Sequence, residues 1–100
     1  MKFLDKYNFS DNDIKLICQN NSDGIIKNIN MNSNNVCMVI DYLLEIGISN
    51  DTIKNLFIHQ IGMFFRRLED IKEVFEEYEI DSIIKSLNYD VNTIDLIEFI

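Results

Sequence analysis

Across residues 36–65 the apolar side chains recur at helical spacing, and that period decides most of what the chain can become. Val36, Val39, Ile40, Leu43, Leu44 and Ile46 follow it up to Gly47. Ile53, Leu56, Phe57 and Ile61 resume it after Ser49. Steps of three and four put these residues on one face of an α-helix, whereas a half-buried strand needs strict alternation. Gly47 can take the positive φ of a tight turn without a Cβ clash. Two amphipathic helices joined by a Gly-Ile-Ser corner are therefore expected, and neither carries a catalytic group.

The same period runs through most of the remaining chain. Leu4 and Tyr7 read as a short helical turn. Ser10, with Asp13 three residues on, reads as the start of a helix with Ile14, Ile17 and Cys18 on its apolar face, because the serine oxygen accepts from free first-turn amides and the acids suit the positive dipole end. The turn formers of residues 19–24 close it. Residues 25–35 fit a helical turn or a short strand equally well, since Ile25, Ile26, Ile29 and Met31 make too short a run for periodicity to decide. An irregular connection with one helical turn is expected there, with Asn34 or Asn35 capping a helix from Val36.

After Gly62, the residues Met63, Phe64 and Phe65 form an apolar knot. Leu68, Ile71, Val74, Phe75 and Tyr78 restart the helical period. Ile80 and Asp81 read as a corner, and Ile83, Ile84 and Leu87 as another short helix. Asn92, with Asp95 three on, reads as the cap of a last helix through Ile94, Ile97 and Ile100. The fold class expected is all-α: a small bundle or short array of helix pairs, with five to seven short helices in one domain over residues 1–100.

The chain also aligns with itself. A shift of 39 positions brings Leu4 onto Leu43, Tyr7 onto Ile46, Phe9 onto Ile48 and Ser10 onto Ser49. It then brings Ile14 onto Ile53, Lys15 onto Lys54, Ile17 onto Leu56 and Cys18 onto Phe57. A shift of 31 brings Ile84, Lys85 and Leu87 onto Ile53, Lys54 and Leu56. Such self-similarity is the mark of repeated helical units.

Charge narrows the function. The formal net charge is −8, and the second half of the chain holds eleven acids against five bases. Nucleic-acid binding draws its non-specific affinity from Lys and Arg on phosphates, and anionic membranes attract the same residues. A protein partner with a basic surface fits better than either. Cys18 and Cys37 are the only cysteines, without metal-ligand spacing, and read as buried, reduced small hydrophobes. The opening residues have no apolar core of a leader and the chain no apolar run of membrane-spanning length, so a reducing, cytoplasmic setting is expected.

Enzyme chemistry finds few residues to use. His59 is the only histidine, and the chain holds three glycines. No phosphate-cradling loop, nucleophile elbow or zinc-binding helix motif is present, so neither a cofactor nor an enzymatic role is expected. The acids Glu69, Asp70, Glu73, Glu76, Glu77 and Glu79 lack calcium-loop spacing. On a helix, Glu69, Glu73, Glu76 and Glu77 instead form a row of like charge, relieved within the stretch only by Lys72. That row is the candidate partner-binding site.

The motif Leu43-Leu44-x-Ile46-Gly47-Ile48-Ser49, followed by Ile53-x-x-Leu56-Phe57 and the turn Met63-Phe64-Phe65, resembles the helical repeats of the mitochondrial transcription termination factor family. The resemblance covers residues 36–78, with an echo at 1–26. It implies paired helices stacked in an array. Ile61 stands where that family places a proline, and the family's basic concave surface has no counterpart in this composition. The same corner resembles a helix-turn-helix, with Tyr42, Ile46, Gly47, Ile48, Ile53 and Leu56 at packing positions. Leu43 stands where that motif needs a small residue. These resemblances imply an alternative function, nucleic-acid binding in transcription regulation. Asn50, Asp51, Thr52, Lys54 and Asn55 would then form the reading face, with Arg66 and Arg67 on phosphate. The leading expectation remains a non-enzymatic protein-interaction module, a small inhibitor or adaptor that presents an acidic helix to a basic partner.

Overall fold

Serine side chains set where several helices begin. In a computed structural model, which describes residues 1–97, Ser10 Oγ accepts from the Asp13 amide at 3.1 Å and Asp13 Oδ2 accepts from the Ser10 amide at 2.8 Å. This reciprocal capping box starts α1, Asp11–Asn20. Ser22 caps α2, Asp23–Met31, and Ser49 caps α4, Asn50–His59. Between the last two runs α3, Ser33–Ile46, followed after α4 by α5, Leu68–Glu77, and α6, Ile80–Tyr89. Short 3-10 segments at Lys2–Tyr7, Ile61–Phe65 and Val91–Leu96 link or flank them. The fold is all-α, with no strand among the described residues.

Gly47 ends α3 as expected, at φ 108°. Its amide donates to Leu44 O at 3.2 Å and the Ile48 amide to Leu43 O at 2.9 Å, the pair of bonds that closes a Schellman motif. The N-terminal unit makes a related left-handed corner without glycine, with the Asn8 amide donating to Asp5 O at 3.1 Å. Asn8, which lies 39 residues before Gly47, sits at φ 63°, a conformation asparagine tolerates better than most residues. Phe9 and Ile48 follow as buried residues, and Ser10 and Ser49 as caps. The two corners thus share a left-handed residue, a buried apolar residue and a serine cap in the same order. The outer faces do not match: Cys18 is exposed where Phe57 is fully buried.

The two units pack on each other. Phe9 meets Phe57 edge to face at 5.5 Å, and Phe57 stacks on Phe64 at 3.9 Å. Leu4, Ile17, Ile40, Leu43, Ile53, Leu56, Ile71 and Phe75 join them in one contiguous core, all without solvent exposure. Asn21 Nδ2 donates to Ile17 O and Phe57 O, tying the end of α1 to α4. Asparagines here close helix ends, satisfying carbonyls that the helix leaves free.

Several boundaries differ from the sequence reading. Residues 25–35 are not an irregular connection: α2 runs through most of them, because Ser22 supplies a cap and Ile25, Ile26 and Ile29 turn toward the core. Asn34 and Asn35 do not cap α3, which already begins at Ser33. Asn35 instead donates to Phe64 O and Arg66 O, holding the Ile61–Phe65 segment against α3. The corner placed at Ile80 and Asp81 lies two residues earlier, at Tyr78 and Glu79, and α6 has begun by Ile80. Asp90, not Asn92, caps the last segment. Asn92 and Asp95 both accept from Gln60 Nε2. Ile100, the expected end of that helix, lies outside the described residues. The two cysteines are free, but Cys18 is exposed and Cys37 half-buried at the edge of the core, so neither is the fully buried residue expected.

Tyr7 gives a measurable handle on this packing. Its buried hydroxyl donates to Asp41 Oδ1 at 2.8 Å, and burial first, then that bond, pushes the phenol well above its ordinary range. The fold favours the neutral phenol. Its stabilising effect is therefore complete below pH ~10 and is lost as pH rises beyond, where the unfolded chain ionises first. Tyr7→Phe is expected to lower stability by about 1–2 kcal/mol at neutral pH, the low end for a hydrogen bond to a charged group because this one is only part-buried. It should also reduce the alkaline fall. Urea denaturation across a pH series measures both.

Candidate functional site

Helix α5 is built to bury one side and charge the other. Ile71 and Phe75 are fully buried and Val74 nearly so, all turned inward. On the opposite arc Glu69, Glu73, Glu76 and Glu77 are exposed, spaced four, three and one residues apart. Steps of that size keep them on one face of a helix. Asp70 borders the row and is half-buried, and Glu79 continues it beyond the helix end as the residue before α6.

Two bases beside this row, Arg67 and Lys72, are directed to other partners. Arg67 holds Asp70 with two bonds, Nε to Oδ2 at 3.1 Å and Nη2 to Oδ1 at 3.2 Å. That bond to Asp70 raises the guanidinium's already high pKa, so it stays charged. Lys72 Nζ lies over the Tyr42 ring of α3, 5.4 Å from its centroid. Burial, and then the carboxylates of Glu76 and Glu45, push the Tyr42 phenol up. Among the described residues Glu69, Glu73, Glu77 and Glu79 have no side-chain hydrogen bond or ion pair. One departure from the sequence reading bears on this site. Tyr78 does not anchor the buried side of α5; it follows the helix end and is 43% exposed.

The alternative nucleic-acid residues are placed differently from one another. Asn50 Nδ2 donates to Tyr7 O at 3.0 Å, and Lys54 Nζ pairs with Asp13 at 3.1 Å. Both therefore serve the contact between the two units. The Ser10 amide first, and Lys54 second, hold the Asp13 carboxyl below its ordinary value. Asn55 is exposed, beside His59 and Asn92 at a shallow polar hollow. Arg66 is exposed and Arg67 belongs to the Asp70 pair.

The amino end of α4, where a reading helix would meet DNA, is occupied by α6. Asn88 Oδ1 accepts from Thr52 Oγ1 at 2.7 Å and from the Ser49 amide at 3.3 Å. Ile84 of the same helix approaches Gly47, within 3.6 Å of where a β-carbon would stand. Sequence periodicity could not show this, because Asn88 lies 36 residues from Thr52.

A second feature adjoins the acidic row. Tyr78, Ile83, Leu96 and Ile97 line a mostly apolar groove of about 370 Å³ between α6 and the last 3-10 segment. The signal missed in the sequence was Leu96, one apolar residue more than the helical period needs, and it is 79% exposed. No cluster of three or more His, Cys, Asp or Glu stands ready for a metal among the described residues, and none of their helices is long and apolar enough to cross a membrane. The chain matches no family model, no curated protein and no solved structure.

Proposed function

We propose that this protein is a non-enzymatic protein-interaction module whose α5 face receives a basic partner. The observation that carries the reading is the row Glu69, Glu73, Glu76 and Glu77, exposed on one face while Arg67 and Lys72 are directed to Asp70 and Tyr42. Like charges at these spacings cost a few tenths of a kcal/mol per pair in the free protein. A basic surface removes that cost, and the row speeds its approach. A small inhibitor or adaptor acting in the cytoplasm fits this description. Nucleic acid is the weaker reading, since Asn50 and Lys54 are engaged within the fold and the α4 amino end is covered.

The test replaces Glu69, Glu73, Glu76 and Glu77 together by Gln. Folding should survive, with thermal stability equal or slightly raised. Basic proteins captured from host lysate by the native chain, identified by mass spectrometry, should be lost or bind at least ~10-fold more slowly at low salt. Their association should also lose most of its salt dependence, because exposed charges act mainly on the on-rate. Unchanged capture at low and physiological salt would remove the basis of the reading.

A further inference from the structure

The groove and the acidic row meet at one corner. Glu77 closes the row, Tyr78 and Glu79 follow it in the chain, and both of these line the groove. Among the described residues Glu79 is the one charged member of the groove's lining, whose other polar members, such as Ser86, are hydroxyls. The lip carries two large exposed apolar side chains, Tyr78 at 43% and Leu96 at 79%. An occupant must therefore satisfy two demands together: apolar side chains for the slot, and positive charge toward Glu77 and Glu79.

Building on a basic partner for α5, we infer that this groove seats the apolar stripe of a basic amphipathic helix from that partner. Apolar residues at i, i+3, i+4 and i+7 enter between Tyr78 and Leu96, and Lys or Arg on the flanking positions face Glu77 and Glu79. This is the helix-in-groove mode of recognition, in which buried apolar anchors supply affinity and rim charges supply speed and register. The acids at the corner select against two other occupants. A second copy of this chain would bring another net charge of −8 to the interface, and an anionic lipid surface would be repelled in the same way.

The experiment titrates the full chain into fluorescent synthetic peptides of about 14 residues, four helical turns. One carries Leu and Phe on a single helical face and Lys on the other. A second has the same composition shuffled so that no apolar stripe forms, and a third replaces Lys by Glu. The striped Lys peptide should bind at least ~10-fold more tightly than the shuffled one, and the Glu peptide should not bind. Leu96→Ser and Ser86→Gln, both at exposed positions, should bring the striped peptide to the level of the shuffled one while leaving its salt dependence unchanged. Circular dichroism of each variant checks that it folds. Equal binding of striped and shuffled peptides, both abolished in the four-Gln variant, overturns the groove and leaves the acidic-face reading standing. Absence of binding by either Lys peptide overturns the groove and counts against that reading as well. A dimer in sedimentation that Leu96→Ser dissociates, without peptide binding, assigns the groove to a second copy and overturns the inference.

Discussion

Phe57→Ala is expected to destabilise the protein by about 3–5 kcal/mol, the usual cost of emptying a buried aromatic site. Few positions combine so many roles. Phe57 is fully buried, stacks on Phe64 at 3.9 Å and meets Phe9 edge to face at 5.5 Å. The ring thus joins the N-terminal unit, α4 and the Ile61–Phe65 segment. Aromatic pairing adds about 0.5–1.5 kcal/mol per pair beyond the burial itself. Domains of this size are stable by only about 5–15 kcal/mol, so the variant should lose a large share of the total. Urea denaturation followed by circular dichroism measures it. A loss below ~1 kcal/mol would mean that Phe57 is not at the centre of the core.

A second large effect is expected at Leu43, and its neighbour supplies the control. Leu43 is fully buried on α3, whereas Leu44 is 38% exposed. Leu43→Ala should cost about 2–5 kcal/mol, while Leu44→Ala, mostly outside the packed interior, should cost under ~1 kcal/mol. Leu56→Ala on α4, also fully buried, should fall in the larger class. The same denaturation experiment on the three variants tests the register of the central pair. Similar losses at Leu43 and Leu44 would place the face of α3 wrongly by a residue.

What the sequence revealed, and what it concealed, follows from the range of the interactions involved. Helical spacing over residues 36–61 marks α3 and α4 because it is a local property, repeated over several turns. Gly47 and the Ser10–Asp13 capping box are equally local, each closed within a few residues. The repeat was legible for the same reason, yet its deeper match was not. Asn8 and Gly47 share a left-handed backbone, and no residue identity links them.

The asparagines misled in a consistent way. Within a run rich in Asn they read as breakers and caps, as their local chemistry suggests. In the fold Asn21 and Asn35 serve carbonyls on other elements, 36 and 31 residues away. The row Glu69, Glu73, Glu76 and Glu77 on α5 was readable, since spacing alone puts it on one face, whereas the pairing of Asp70 and the place of Glu79 beyond the helix end were not. The directions taken by two nearby bases were not readable, because they depend on Arg67 turning to Asp70 and Lys72 to Tyr42.

By itself, then, the sequence determined the all-α class, most helix positions, the Gly47 corner and the sign and placement of the charged face. These depend on periodicity, capping and composition, which act within about one or two helical turns. Only the tertiary structure decided which helix ends meet. It set Asn88 of α6 over the start of α4, paired Lys54 with Asp13, and left Tyr78 and Leu96 exposed around an open groove. Contacts between residues 30 or more positions apart leave no period in the chain. They arise only when the buried faces find one shared core and carry the polar residues beside them into place.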